Sequence, residues 1–419
     1  MRRGLALMAV VAFAAAACST GPTEPSDDPI RVGAVYPLSG SQGQGGIDEH
    51  RGALLAAQLA NADGGVGGRT IDIVSTDVSA AEAAPAAIED LHADGVDVVL
   101  GSYGSTISAP ASQTAAANDM LFWETGAVGM LTRRSEQGVR TFRMPPTGAV
   151  LGRNAISFVD GPLAEAFGRD PDDLRYAVSF VDDVYGRSVA DGALQAAADL
   201  DLEVAGRFGY DFRTVDYDAL ARRIDRSGAD VLFVSAYLVD AVELRRALVR
   251  NDVDLLASIG TSSSYCMPEF GAALGQGAVG LFASDKPSGD AIDPSTLRPD
   301  GAALLERART AYDARWGGEM SPAALAGFSA AWALFAEVMP AADDLSPDAI
   351  AEAALAIDLP MGSLPNGSGL RFGEPGTATA GDNVAAAAVI WEWMVPGEHM
   401  VVWPPELATQ EVRAMDIAP

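Results

Sequence analysis

A chain of 419 residues with 49% hydrophobic and 20% charged residues is long and apolar enough to bury the cores of two domains. Its 57 acidic side chains against 28 basic ones leave a net charge of −29 with no basic cluster, which excludes nucleic acid and anionic lipid as partners. The two cysteines, Cys18 and Cys266, allow one internal disulfide at most, and none if Cys18 is modified.

The chain opens with Met1-Arg2-Arg3 and an apolar run from Leu5 to Ala17. That run is too short for a membrane span, which needs about 20 apolar residues, and it fits a secretory signal over residues 1–17. Ala15-Ala16-Ala17-Cys18 resembles a bacterial lipobox, which implies cleavage before Cys18 and its acylation. Everything beyond it is then expected outside the cytoplasm, anchored to the cell membrane by lipid. Ser19 to Pro29 is polar, contains proline and lacks periodicity, so residues 18–29 read as a lipidated flexible tether.

From Ile30 the pattern is strand, loop, helix, repeated. Strands are expected at 31–36, 70–76, 96–100 and 120–123, with helices over 48–62, 81–93 and 108–118 between them. Such alternation specifies a parallel sheet covered by helices on both faces. The series restarts with strands at 176–181, 204–210, 231–235 and 255–259 and a helix over 188–199. A local repeat supports two similar lobes: Leu91 to Leu100 resembles Ile224 to Phe233, with Gly95 and Gly228 closing helices and Asp97 and Asp230 opening strands. Helices over 299–316, 322–338 and 347–356, then short strands at 369–372 and 387–393, suggest that the chain crosses back. The expected division is 30–146 with 284–360 as the first lobe and 147–283 with 361–419 as the second.

Ligands of open α/β sheets bind beyond the carboxyl ends of the strands. The loops there carry hydroxyls, glycines and tyrosines with few charges: Ser39 and Gly40; Ser102, Tyr103, Gly104 and Ser105; Thr125 and Ala127; Asp183 and Tyr185; Tyr237; and Ser262. Hydroxyls and free N–H groups at helix starts hold a carboxylate or another polar head group, and tyrosines offer flat apolar walls with a polar tip. Catalytic, metal and cofactor signatures are missing. His50, His92 and His399 have no metal-ligand spacing, Gly40 to Gly45 lacks the dinucleotide spacing, and Lys286, the single lysine, stands in no phosphate loop. No cofactor and no enzymatic activity are expected. Cys266 reads as a buried, inert thiol.

At these residues the chain resembles the leucine/isoleucine/valine-binding family, the type I periplasmic solute-binding proteins of ABC importers. The resemblance rests on Arg31 to Gly40 (RVGAVYPLSG), Asn61 to Arg69 (NADGGVGGR), Asp97 to Gly101, Asp183 to Gly186 and Gly369 to Gly373, in that order. It implies an α/β type I periplasmic-binding-protein fold, with two Rossmann-like lobes, hinge crossovers and a cleft that closes over a small solute. It further implies delivery to an ABC permease and ATPase complex, or, as the alternative, sensing for a membrane signalling partner without transport. A monomer is expected, since the lobes must be free to close. By the same resemblance Ser105 holds a carboxylate, Thr125 and Ala127 face the head group, and Tyr185 and Tyr237 line the pocket. The acidic partner of an ammonium falls near Ser262 and the aromatic wall of the first loop near Gly45. Glu124 and Asp183 are left to take the acidic part, and small residues at 45 and 127 imply a roomier pocket. The solute is therefore expected to be an amino acid or derivative, an amide or urea-like compound, or an organic acid.

Overall fold

The computed structural model describes residues 28–131, 134–135, 138–287, 292–415 and 417. The signal segment, Cys18 and the tether up to residue 27 lie outside the described residues.

Continuous apolar runs such as Val32 to Tyr36 and Val98 to Leu100 become central strands, because a parallel sheet is buried on both faces. The first lobe is built from β1 (Ile30–Tyr36), α1 (Gly43–Ala62), β2 (Ile71–Asp77), α2 (Ala84–Ala93), β3 (Val98–Gly101), α3 (Ser105–Ala117) and β4 (Leu121–Glu124). A ribbon of β5 (Arg134–Ser135) and β6 (Gly138–Val139) follows, then β7 (Thr141–Arg143). Its sheet runs β2-β1-β3-β4-β7, every pair parallel.

The second lobe takes α4 (Gly148–Phe158), α5 (Ala164–Ala166), β8 (Arg175–Val181), α6 (Val184–Asp199), β9 (Glu203–Tyr210) and α7 (Tyr217–Ser227). It continues through β10 (Val231–Ser235), α8 (Leu238–Arg250), β11 (Ala257–Thr261), α9 (Pro268–Leu274) and β12 (Phe282–Asp285). After α10 (Pro299–Trp316), α11 (Pro322–Trp332) and α12 (Pro347–Ala356), β13 (Val389–Val395) and β14 (Glu398–Trp403) complete the second sheet in the order β14-β13-β12-β11-β10-β8-β9. The last two strands are antiparallel additions to a parallel sheet.

The local repeat has the same structural role twice. Gly95 and Gly228 both have positive φ, at +76° and +64°, and close α2 and α7. The carbonyls of Asp97 and Asp230 then each accept from the next strand, from Leu121 and Leu256, both at 2.8 Å.

Three crossovers join the lobes, placed by which core each residue enters. Met144, Ile292 and Ala380 pack in the first core, while Leu151, Ala283 and Ile390 pack in the second. The third crossing therefore falls later than the expected boundary at 360/361. Leu364, Leu370, Phe372 and Ala380 pack with Trp123 and Phe142 in the first lobe, because Phe372 sets its edge against both rings at 5.4 and 5.0 Å. Residues 369–372 form isolated bridges to Leu359 and Asn383 instead of a strand.

Late helices also complete the first lobe. A Cβ at Gly52 of α1 would lie 2.0 Å from the Ala324 carbonyl of α11, and one at Gly327 would lie 2.0 Å from that of Glu49, so the two helices touch backbone to backbone. In the second lobe α4 and α6 meet the same way through Gly152 and Gly192. The apolar segment Pro322–Ala341, long enough to cross a membrane, is buried in this core.

Candidate ligand-binding cleft

The loops at the carboxyl ends of β3 and β4 meet those after β11 and β8, through Tyr103 and Ser263 and through Gly129 and Val184. Gly104 begins α3 without any side-chain cap; its carbonyl accepts from the Ile107 N–H at 2.9 Å, and the Ser105 and Thr106 N–H groups are left without a helical acceptor. A Cβ at Gly104 would lie 1.9 Å from Gln42 Oε1, so only glycine lets that side chain pack here. Ser105, at the first position of α3, accepts at Oγ from the Gly129 N–H at 2.9 Å, which leaves its own hydrogen for a partner. The second lobe reaches this point through Val184: the space beside Gly129 is bounded by Ser105 and by Val184 Cγ1.

Thr125 is fixed from both sides. Its Oγ1 donates to Glu49 Oε1 at 2.6 Å and accepts from the Tyr36 hydroxyl at 2.9 Å. The Ala127 and Gly126 N–H groups donate to Glu124 Oε1 at 2.6 and 2.8 Å, so that carboxylate shapes the loop. On the facing lobe Asp183 caps α6, accepting from the Gly186 N–H at 2.9 Å through Oδ1 and from the Tyr237 hydroxyl at 2.7 Å through Oδ2. The Tyr185 hydroxyl lies 3.0 Å from Thr261 Oγ1, and the Tyr185 and Tyr237 rings pack at 5.5 Å. Ser262, buried with φ +39°, hydrogen-bonds Asp285.

Two expected residues have other partners. Ser39 is exposed and donates to Asp77 Oδ2 at 2.7 Å. Ser102 is fully buried, its Oγ 2.7 Å from Ser108 Oγ and 3.2 Å from the Gly104 carbonyl, so it braces the turn inside the first lobe. Tyr103, by contrast, crosses the cleft: its hydroxyl donates to Ser263 Oγ, beyond β11, at 3.2 Å.

Sequence reading missed a buried charge cluster at the second crossover. Lys286, 4% exposed, donates from Nζ to the Gly126 carbonyl at 3.2 Å and acts electrostatically on Glu49 and Asp285. Burial pushes the Glu49 carboxyl up to about 8, with Lys286 the main opposing influence. Burial likewise raises Asp285 and Glu124. The signal available was a single lysine in the whole chain, placed where a strand ends. Arg143, missed as well, donates from its guanidinium to the Val128 and Gly129 carbonyls and lies 3.6 Å from Asp382. The Cys266 thiol is buried and raised by burial and by Asp285, which suits an inert side chain.

Two lobes of like topology, three crossovers and loops that bring hydroxyls and tyrosines together between the lobes suit a solute-binding clamp. The chain belongs to the periplasmic binding protein family, whose model matches residues 29–386. It is thus an extracytoplasmic solute-binding protein of type I fold and not an enzyme. A similar protein, the Leu/Ile/Val-binding protein homolog 8 of Brucella abortus, is 29% identical over 388 residues, covering 92% of this chain and 93% of that one. The leucine-binding protein LivK of Thermotoga maritima superposes with a TM-score of 0.74 at 15% identity, over 89% of this chain and 97% of the other. LivJ of Streptococcus pneumoniae, solved with isoleucine, superposes with a TM-score of 0.68 at 19% identity, over 90% and 100%.

Proposed function

We propose that the protein captures an amino acid or close derivative between its lobes and delivers it to an ABC importer, held at the membrane by a lipid on Cys18. The observation that carries the reading is the uncapped start of α3. The Ser105 and Thr106 N–H groups and the Ser105 hydroxyl lie at that helix start, which favours a carboxylate both by its dipole and by its unfilled donors. The names of the Brucella relative and of the isoleucine-bound Streptococcus structure support the amino-acid class. For the ammonium we assign Asp183, half-buried beside Tyr185 and Tyr237, because Glu124 is fully buried. Ligand contacts from both lobes bias the hinge toward closure.

Isothermal titration with L-leucine, L-isoleucine, L-valine, acetamide, urea and succinate tests the ligand class. Ser105→Ala should weaken carboxylate binding roughly 10- to 100-fold, the worth of one charge-assisted hydrogen bond. Unchanged affinity in that variant sinks the proposed hook, and heat from acetamide or urea alone moves the ligand to the amide class. The anchor has its own test. Cys18→Ser should shift the protein from the membrane fraction to the soluble one, and retention on the membrane would refute lipidation as the tether.

A further inference from the structure

Tyr103 combines three observations that no single structural need explains. Its φ of +83° lies in the left-handed region, which a bulky side chain adopts only when its surroundings impose it, often at ligand clamps. Its ring lies directly on Gly45, where a Cβ would come within 2.2 Å of the ring Cζ and 2.4 Å of the hydroxyl. Its hydroxyl leaves the first lobe altogether to donate to Ser263 Oγ at 3.2 Å, with Met267 Sδ at 3.9 Å. Gly45 is the position at which the resemblance expects an aromatic wall. The wall is present, but it comes from the loop before α3, and any side chain at position 45 would displace it. The bare glycine therefore does not enlarge the cleft.

We propose that Tyr103 is the specificity-determining residue of this cleft, an aromatic wall moved from α1 to the β3–α3 loop and pinned to the second lobe on closure, which limits the solute to a compact body. The inference rests on the reading of the cleft as the solute site. A ring free at its tip would swing aside for a longer solute; the Ser263 contact and the packing on Gly45 remove that freedom when the lobes meet. Tyr103→Phe keeps the wall and loses the pin, whereas Tyr103→Ala loses both.

The test is titration of the full chain with glycine, L-alanine, L-valine, L-leucine and L-phenylalanine. The wild type should favour the shorter members. Tyr103→Ala should raise the affinity ratio of L-phenylalanine to L-alanine at least tenfold, and Tyr103→Phe should weaken every member while keeping their order. An unchanged order in Tyr103→Ala overturns the proposal, and Tyr103→Leu carries the same test if that variant does not fold. Binding of none of the five by the wild type would instead strike the amino-acid reading. The wall is then judged without a solute: p-cresol, which has the shape of the missing side chain, should raise the melting temperature of Tyr103→Ala and not that of the wild type. No such rise overturns the placement of the wall.

Discussion

Lys286→Met should cost about 3–5 kcal/mol of stability at pH 9, the loss expected when one partner of a buried ionic group is removed. Methionine preserves most of the stem volume, so the loss reports charge rather than packing. The ammonium is the main influence favouring the ionised forms of Glu49 and Asp285, and its bond to the Gly126 carbonyl ties the second crossover to the loop that carries Thr125 and Ala127. At pH 6 the loss should be smaller, because Glu49 then holds a proton and leaves less charge uncompensated. Urea unfolding at the two pH values reads the difference. Equal losses would show that the side chain acts through packing alone.

The second large effect is a pH dependence centred on Glu49. An unfolded chain titrates a glutamate near its ordinary 4.5, whereas burial raises this one to about 8 in the folded protein. The folded state therefore keeps a proton that the unfolded state releases between those values. The contribution to stability is full below about 4.5 and is lost as pH rises through 8, at up to roughly 1.4 kcal/mol per pH unit. The sum is of the order of 3–5 kcal/mol. Glu49→Gln has the same shape, stays neutral and still accepts from Thr125, so its stability should vary less between pH 5 and pH 9. Asp240, raised to about 6, and Glu392, raised to about 7, add slopes of the same sign. The difference between variant and wild type isolates Glu49, and parallel curves would refute the assignment.

Strand positions were legible because burial on both faces leaves an unbroken apolar run, as in Val231 to Ser235. The Thr261–Ser262 loop was legible for its hydroxyls. Strand β12 was not, since four residues following the Gly280 turn carry too little pattern. The expected strand at 369–372 failed because its partners are loop residues that arrive singly. Glu49 was invisible for another reason. On α1 it sits between Asp48 and His50, which reads as a solvated face, and the close approach of α11 through Gly327, with the carboxyl packed on Gly126, puts it under cover. The exchange between Gly45 and Tyr103 was half legible: the missing bulk showed in the sequence, but its replacement depends on a left-handed backbone that residue types alone do not reveal.

The late crossings have a consequence for export. All strands of the first sheet have been made by Arg143, yet α11, which seats α1 backbone to backbone, begins at Pro322. The second sheet waits for β13 and β14, past residue 388. A chain threaded through a membrane from its amino end thus emerges with both cores open, and the contacts that seal them span hundreds of residues, a topology that folds slowly. Slow closure of this kind lengthens the time for which a chain remains unfolded, which is the condition that threading through a membrane requires.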